Sequence, residues 1–257
     1  RNECLTNPEA KMVAEKILKA YGGLEKILAI KRYSYEGDMK LIEDLRDLKD
    51  RQEIFQDQKY KKWVFPDGYR RDVTFVDRIG KAKTFHQCYQ RDIAKSWHYE
   101  VSFDGSRKDW PIDADTHARF VREDFDQKGL MFNTEAYWLS DPSADTKYLG
   151  LLALKDGNSY YTFMTEKDPD HYTLRHFEQH THLHKYGVRY QRLDAHSSGF
   201  DEKDFFCCFS TETLEWSQHK GVMCPKKLEL TYSARCKFIN TLKNCDEEFD
   251  DKVFTRP

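Results

Sequence analysis

EIFQDQKYKKWVF (Glu53–Phe65), PDG (Pro66–Gly68), YRRDVTFV (Tyr69–Val76) and, beyond Ile79-Gly80, KTFHQCYQ (Lys83–Gln90) form the stretch on which the fold turns. Each run is rich in aromatic and β-branched residues, which suit a pleated, half-buried surface. Between them stand Pro66-Asp67-Gly68 and Ile79-Gly80, whose chemistry is that of turns. Short strands joined by tight turns read as an antiparallel meander, not as βαβ units. Working outward, Tyr33, Tyr35, Gly37 and Met39 open an earlier strand, and Ser96–Phe103 supplies a later one ending at Asp104-Gly105. The charged stretch Glu43–Gln52 reads as a solvated turn or strand edge.

A helix precedes the strands. Asn7 is a good N-cap, Pro8 fits the first helical position and Glu9 suits the positive end of the helix dipole. Val13, Ile17 and Leu18 form its apolar stripe until Gly22-Gly23 stops it, and Leu24 to Ala29 adds a further turn or two. A second helical region is expected over Thr116–Leu139, where Val121, Phe125, Phe132, Ala136 and Leu139 recur on one face. Gly129 weakens its middle and Asp141-Pro142 ends it. Strands resume at Lys147–Leu154 and Ser159–Glu166, joined by Asp156-Gly157, a strong hairpin signal. Tyr172–His180, His182–Arg192, Phe205–Trp216, Lys226–Tyr232 and Cys236–Leu242 follow. With no repeat or linker, residues 1–257 read as one domain of mainly β (α+β) class.

Composition narrows the function. Forty-two basic residues against 44 acidic ones give a net charge of −2, leaving no basic excess to hold a phosphate backbone, so nucleic acid is not an expected partner. The 17 Phe, 15 Tyr and 5 Trp can fill a core despite a charged fraction of 33%. No apolar run has the length needed to cross a bilayer. The chain opens on Arg1, not Met, so an upstream segment is expected. Seven cysteines show no C-x-x-C spacing and read as buried thiols behaving as small hydrophobes, with one or two disulfides as the alternative.

Few residues point to chemistry. His176, Glu178, His180, His182 and His184 would share one face of an unbroken strand, with neighbours about 6.8 Å apart. His180, His182 and His184 are thus the residues that could grip zinc or copper. A turn near Gln179–Thr181 would break that face, and no second cluster is obvious beyond the scattered His171, His196 and His219, so neither a metal site nor a cofactor is expected. Ser197-Ser198-Gly199 beside His196 lacks the G-x-S-x-G elbow. Cys207 and Cys208 show no sign of an activated thiolate. Asp246, Glu247, Glu248, Asp250 and Asp251 read as a solvated, mutually repelling face. Gly22-Gly23 follows a helix and fails the context for nucleotide binding. No enzymatic activity is expected.

Three stretches, in this order, resemble envelope proteins related to the LolA and LolB lipoprotein carriers. The first is Ala14–Lys31 with its helix closing on Gly22-Gly23, a short helix and a strand ending near Gly37. The second is Phe103-Asp104-Gly105 with Trp110 ahead of the central helical region. The third runs from Trp216, Gly221 and Pro225 to the closing Phe249-Asp250-Asp251-Lys252-Val253-Phe254-Thr255-Arg256-Pro257. Ala118-Arg119-Phe120, Ser140-Asp141-Pro142 and Asp168-Pro169-Asp170-His171-Tyr172 are similar to a narrower, uncharacterised branch from Bacteroidota. The resemblance implies a curved antiparallel sheet, an incomplete barrel, with helices packed in its concave face. It implies a periplasmic or outer-membrane location and a lipid or lipoprotein acyl chain as partner. The helix-side lining would then be Val121, Phe125, Phe132 and Ala136. The alternative is a structural accessory subunit of a larger outer-membrane complex, with a filled interior; behind it stands a metal-binding module using the His-rich strand.

Overall fold

The computed structural model describes residues 1–45, 57–77, 79–121, 137–168, 171–192, 205–233, 235–246 and 248–257. Its dominant feature is a 13-stranded antiparallel sheet. The strands, in chain order, are β1 (Tyr33–Asp44), β2 (Asp57–Phe65), β3 (Gly68–Val76), β4 (Ala82–Gln90), β5 (Trp97–Val101), β6 (Arg107–Asp109), β7 (Asp145–Ala153), β8 (Ser159–Asp168), β9 (His171–Glu178), β10 (His184–Arg192), β11 (Phe205–His219), β12 (Val222–Tyr232) and β13 (Cys236–Asp246). Their spatial order is β6-β5-β4-β3-β2-β1-β13-β12-β11-β10-β9-β8-β7, so the sheet does not close: β6 and β7 stand at its two ends. The meander expected from the sequence is present. Among the described residues five α-helices accompany it: α1 (Glu3–Thr6), α2 (Pro8–Ala20), α3 (Leu24–Ala29), α4 (Ala114–Phe120) and α5 (Tyr137–Ser140). No helix among the described residues is long and apolar enough to cross a membrane.

The chain groups into two compact units. One comprises residues 1–24 and 134–237. Here α2 begins as its sequence dictates, with the Asn7 side chain accepting from the Glu9 and Ala10 amides at 3.0 and 3.3 Å. Ala10, Val13, Ala14 and Ile17, spaced i, i+3, i+4 and i+7, are all buried. Gly22 ends the helix at φ +114°, and a β-carbon there would collide with the Gly221 backbone. Tyr21 is fully buried, edge-on to Trp216 at 5.5 Å, and its hydroxyl accepts from the His184 amide at 3.3 Å. These contacts seat the helix end on β10, β11 and β12. Asn2, which caps α1, donates to the Asp141 carbonyl at 2.8 Å, tying the first residues to α5.

The other unit comprises residues 25–133 and 238–257. Its apolar core on one sheet face is Trp63, Cys88, Trp97, Tyr99 and Phe254. Phe254 belongs to a 3-10 turn, Asp251–Phe254, that sequence reading did not foresee. The Phe254 carbonyl accepts from Trp97 Nε1 at 3.1 Å and from Gln90 Nε2 at 3.3 Å. Part of the acidic run is therefore structural: Asp250 caps this turn and Asp251 pairs with Arg32 at 2.6 Å. The expected helix Thr116–Leu139 is described at its two ends only. There α4 starts two residues earlier, capped by Asp113, whose carboxylate accepts from the Thr116 amide at 2.7 Å.

Four cysteines are buried, at 4, 88, 224 and 236. Burial pushes the Cys4 and Cys88 thiols up to about 12, so neither is ionised at neutral pH.

Candidate functional site

The hairpin register of the second unit determines what each face of its sheet carries. Phe65 pairs with Gly68 across the two-residue loop Pro66-Asp67, which sets Lys62 opposite Arg71 and Trp63 opposite Arg70. Because neighbours along a strand face opposite sides, the face bearing Trp63 and Cys88 holds the 3-10 turn. The other face bears four rows running across the strands. The first is Tyr33, Val64, Tyr69 and Tyr89; the second Tyr35, Lys62, Arg71, Gln87 and His98. The third is Gly37, Tyr60, Val73, Phe85 and Glu100; the fourth Met39, Gln58, Phe75 and Lys83.

The first row is buried throughout. Helix α4 lies over its end: Phe120 stacks on Tyr89 with ring centres 4.1 Å apart, and His117 Nε2 is 2.6 Å from the Gln90 carbonyl. The third and fourth rows differ. Val73 is buried, but Tyr60, Phe75, Phe85 and Met39 are only half-buried. Phe75 and Phe85 meet edge-on at 5.6 Å, and Tyr35 meets Tyr60 at 6.1 Å. The Tyr60 hydroxyl donates to Asn240 at 2.8 Å, which fixes its ring. Burial pushes that hydroxyl well above the usual phenol range, so it stays neutral.

The second row is polar. Lys62 Nζ sits 5.3 and 5.4 Å from the ring centres of Tyr35 and Tyr60. Arg71 donates to the Gln87 amide oxygen and lies 5.6 Å from the Phe120 ring. Burial, then the Arg71 charge, pulls His98 below the usual imidazole range. In the third row Glu100 is buried and accepts from Lys83 at 2.7 Å and from Trp110 Nε1 at 3.3 Å. The Lys83 hydrogen bond, set against burial, holds that carboxyl below its usual range. The whole is a half-buried aromatic floor crossed by a cationic stripe.

Of the helix-side lining expected from sequence, Val121 is half-buried directly after α4; Phe125, Phe132 and Ala136 lie outside the described residues. The histidine run does not form one strand. It is split by a turn between β9 and β10, with His182 at φ +59°. Phe177 pairs with His184 and His176 with Tyr186, so His176 and His184 face opposite sides. His176 Nδ1 is 2.9 Å from Thr162 Oγ1, His184 Nδ1 is 3.4 Å from Thr213 Oγ1, and His180 is exposed. No cluster of three His, Cys, Asp or Glu side chains able to hold a metal occurs among the described residues. Sequence reading missed the cationic stripe, although the two-residue loop at Pro66-Asp67 sets the pairing that creates it.

An open antiparallel sheet carrying helices defines a class of scaffold, and solved structures share that fold. No protein-family model and no curated protein matches the chain. A DUF1329 family protein from Desulfovibrio piger superposes with a TM-score of 0.54 at 10% identity, over 95% of this chain and 96% of that one. A domain from Vibrio parahaemolyticus described as an outer membrane lipoprotein-sorting protein gives 0.50 at 10% identity, over 95% and 94%. A LolA superfamily protein from Nitrosomonas europaea gives 0.50 at 10% identity, over 95% and 97%. The fold is LolA-like, in agreement with the resemblance read from the sequence.

Proposed function

We propose that this protein is a non-enzymatic carrier of an apolar ligand, an acyl chain of a lipid or lipoprotein, working in the periplasm or at the outer membrane. One observation carries the reading: Tyr60, Phe75, Phe85 and Met39 form a half-buried apolar surface on the α4-bearing face of the sheet. A sheet that needed this face for stability alone would bury it, as it buries Tyr33, Val64, Tyr69 and Tyr89. Each methylene withdrawn from water there contributes about 0.8 kcal/mol. Half a dozen would supply roughly 5 kcal/mol towards the entropy of association. The LolA-like fold and the lipoprotein-sorting description of one structural neighbour support the same reading.

The test is titration with a fluorescent fatty acid. Wild type should bind saturably, and a Phe75→Ala, Phe85→Ala double variant should bind about tenfold more weakly with unchanged circular dichroism. Absence of saturable binding by wild type would overturn the proposal in favour of an accessory subunit with a filled interior.

A further inference from the structure

We propose that the row Tyr35, Lys62, Arg71, Gln87 and His98 is a headgroup site that selects an anionic amphiphile, one bearing a carboxylate or a phosphate. This rests on the reading of the adjacent rows as the acyl-chain surface. Lys62 and Arg71 are directly opposed across β2 and β3. Like charges in that position repel and destabilise a sheet unless something offsets them. Among the described residues neither cation has a carboxylate partner: Lys62 meets the Tyr35 and Tyr60 rings, and Arg71 meets Gln87 and Phe120. The carboxylate in the neighbouring row, Glu100, is engaged by Lys83.

The contrast with the preceding residue is informative. Arg70, on the opposite face, receives a two-pronged carboxylate from Asp72 at 3.0 and 2.7 Å. Among the described residues Arg70 thus has a carboxylate counterion and Arg71 has none. Both cations of the stripe are half-buried, where solvent screens them less than at the surface. Rings hold the ammonium and an amide holds the guanidinium, which leaves further N–H donors on each for an incoming anion. A planar guanidinium beside an ammonium matches carboxylate and phosphate oxygens. Alternate residues along a strand are about 6.8 Å apart, so a headgroup on this row places the first methylenes on Tyr60, Val73 and Phe85.

Calorimetric titration with decanoate, decyl phosphate and decanol, each below its micelle concentration, tests this. Wild type should bind at least one anion about tenfold or more tightly than decanol, with the preference shrinking as salt rises. The anion bound more tightly identifies carboxylate or phosphate as the natural headgroup. A Lys62→Gln, Arg71→Gln double variant should bind all three compounds at the decanol affinity, and Lys62→Arg should keep the preference. Lys62→Gln alone, relieved of like-charge repulsion, should melt no lower than wild type without ligand and gain less Tm on adding the anion. Equal binding of the three by wild type, or an undiminished preference in the double variant, overturns the headgroup site and leaves the acyl-chain reading standing. Failure of wild type to bind any of the three overturns both.

Discussion

Asp72 shows how the second unit deals with charge on its tail-covered face. Arg70 bonds both of its carboxylate oxygens, and His86 Nδ1 lies 3.1 Å away. Burial alone would raise this carboxyl, but the nearby His86 and the two Arg70 hydrogen bonds outweigh it and hold it below the usual range. A depressed carboxyl contributes stability that is present above its unfolded value, near 3.9, and is lost as pH falls through its native one. Acid unfolding should therefore include a loss below about pH 4. Asp72→Asn should flatten that loss while costing about 2 kcal/mol at neutral pH, because Arg70 loses its charge partner. An unchanged stability–pH curve in the variant would contradict this role. At this scale the sequence was only partly legible: an Arg-Arg dipeptide reads as surface charge until the hairpin register places its two members on opposite faces.

At the scale of elements, the helix before the sheet was readable because its signals are local. Asn7, Pro8 and the Gly22-Gly23 stop lie within one short segment, and each acts on its own backbone. Two substitutions separate what the glycines do. At Gly23, φ is +94° with open space around it, so Gly23→Ala should cost about 1 kcal/mol from backbone preference alone. At Gly22, φ is +114° and the Gly221 backbone blocks a β-carbon, so Gly22→Ala should cost at least about 2–3 kcal/mol. Equal chemical-denaturation midpoints for the two variants would remove the packing argument. The closing 3-10 turn was not readable for the opposite reason. Arg32, the partner of Asp251, is 219 residues away, so the acidic run looks solvated in sequence. Phe254→Ala should lower stability by about 3–4 kcal/mol, measured by denaturant melts, since it empties a core shared with Trp63 and Trp97.

At the scale of the molecule, alternation and turns sufficed to read an antiparallel meander, because a period of two is legible in any strand with one buried face. They did not reveal that Lys62, Arg71 and the half-buried rings beside them share one face, which depends on register between segments. The turn near Gln179–Thr181 that would break the histidine face was legible, and it lies between β9 and β10. Residues 1–257 as one domain remains a proposal, and it predicts a single cooperative unfolding transition by calorimetry; two resolved transitions would contradict it.

The proposed acyl chain would lie on Tyr60, Phe75 and Phe85. The most direct measurement is paramagnetic broadening of the protein's amide signals by a fatty acid spin-labelled on its tail. Broadening should saturate and centre on Phe75 and Phe85. Broadening centred on β8 and β9, or none that saturates, would contradict it.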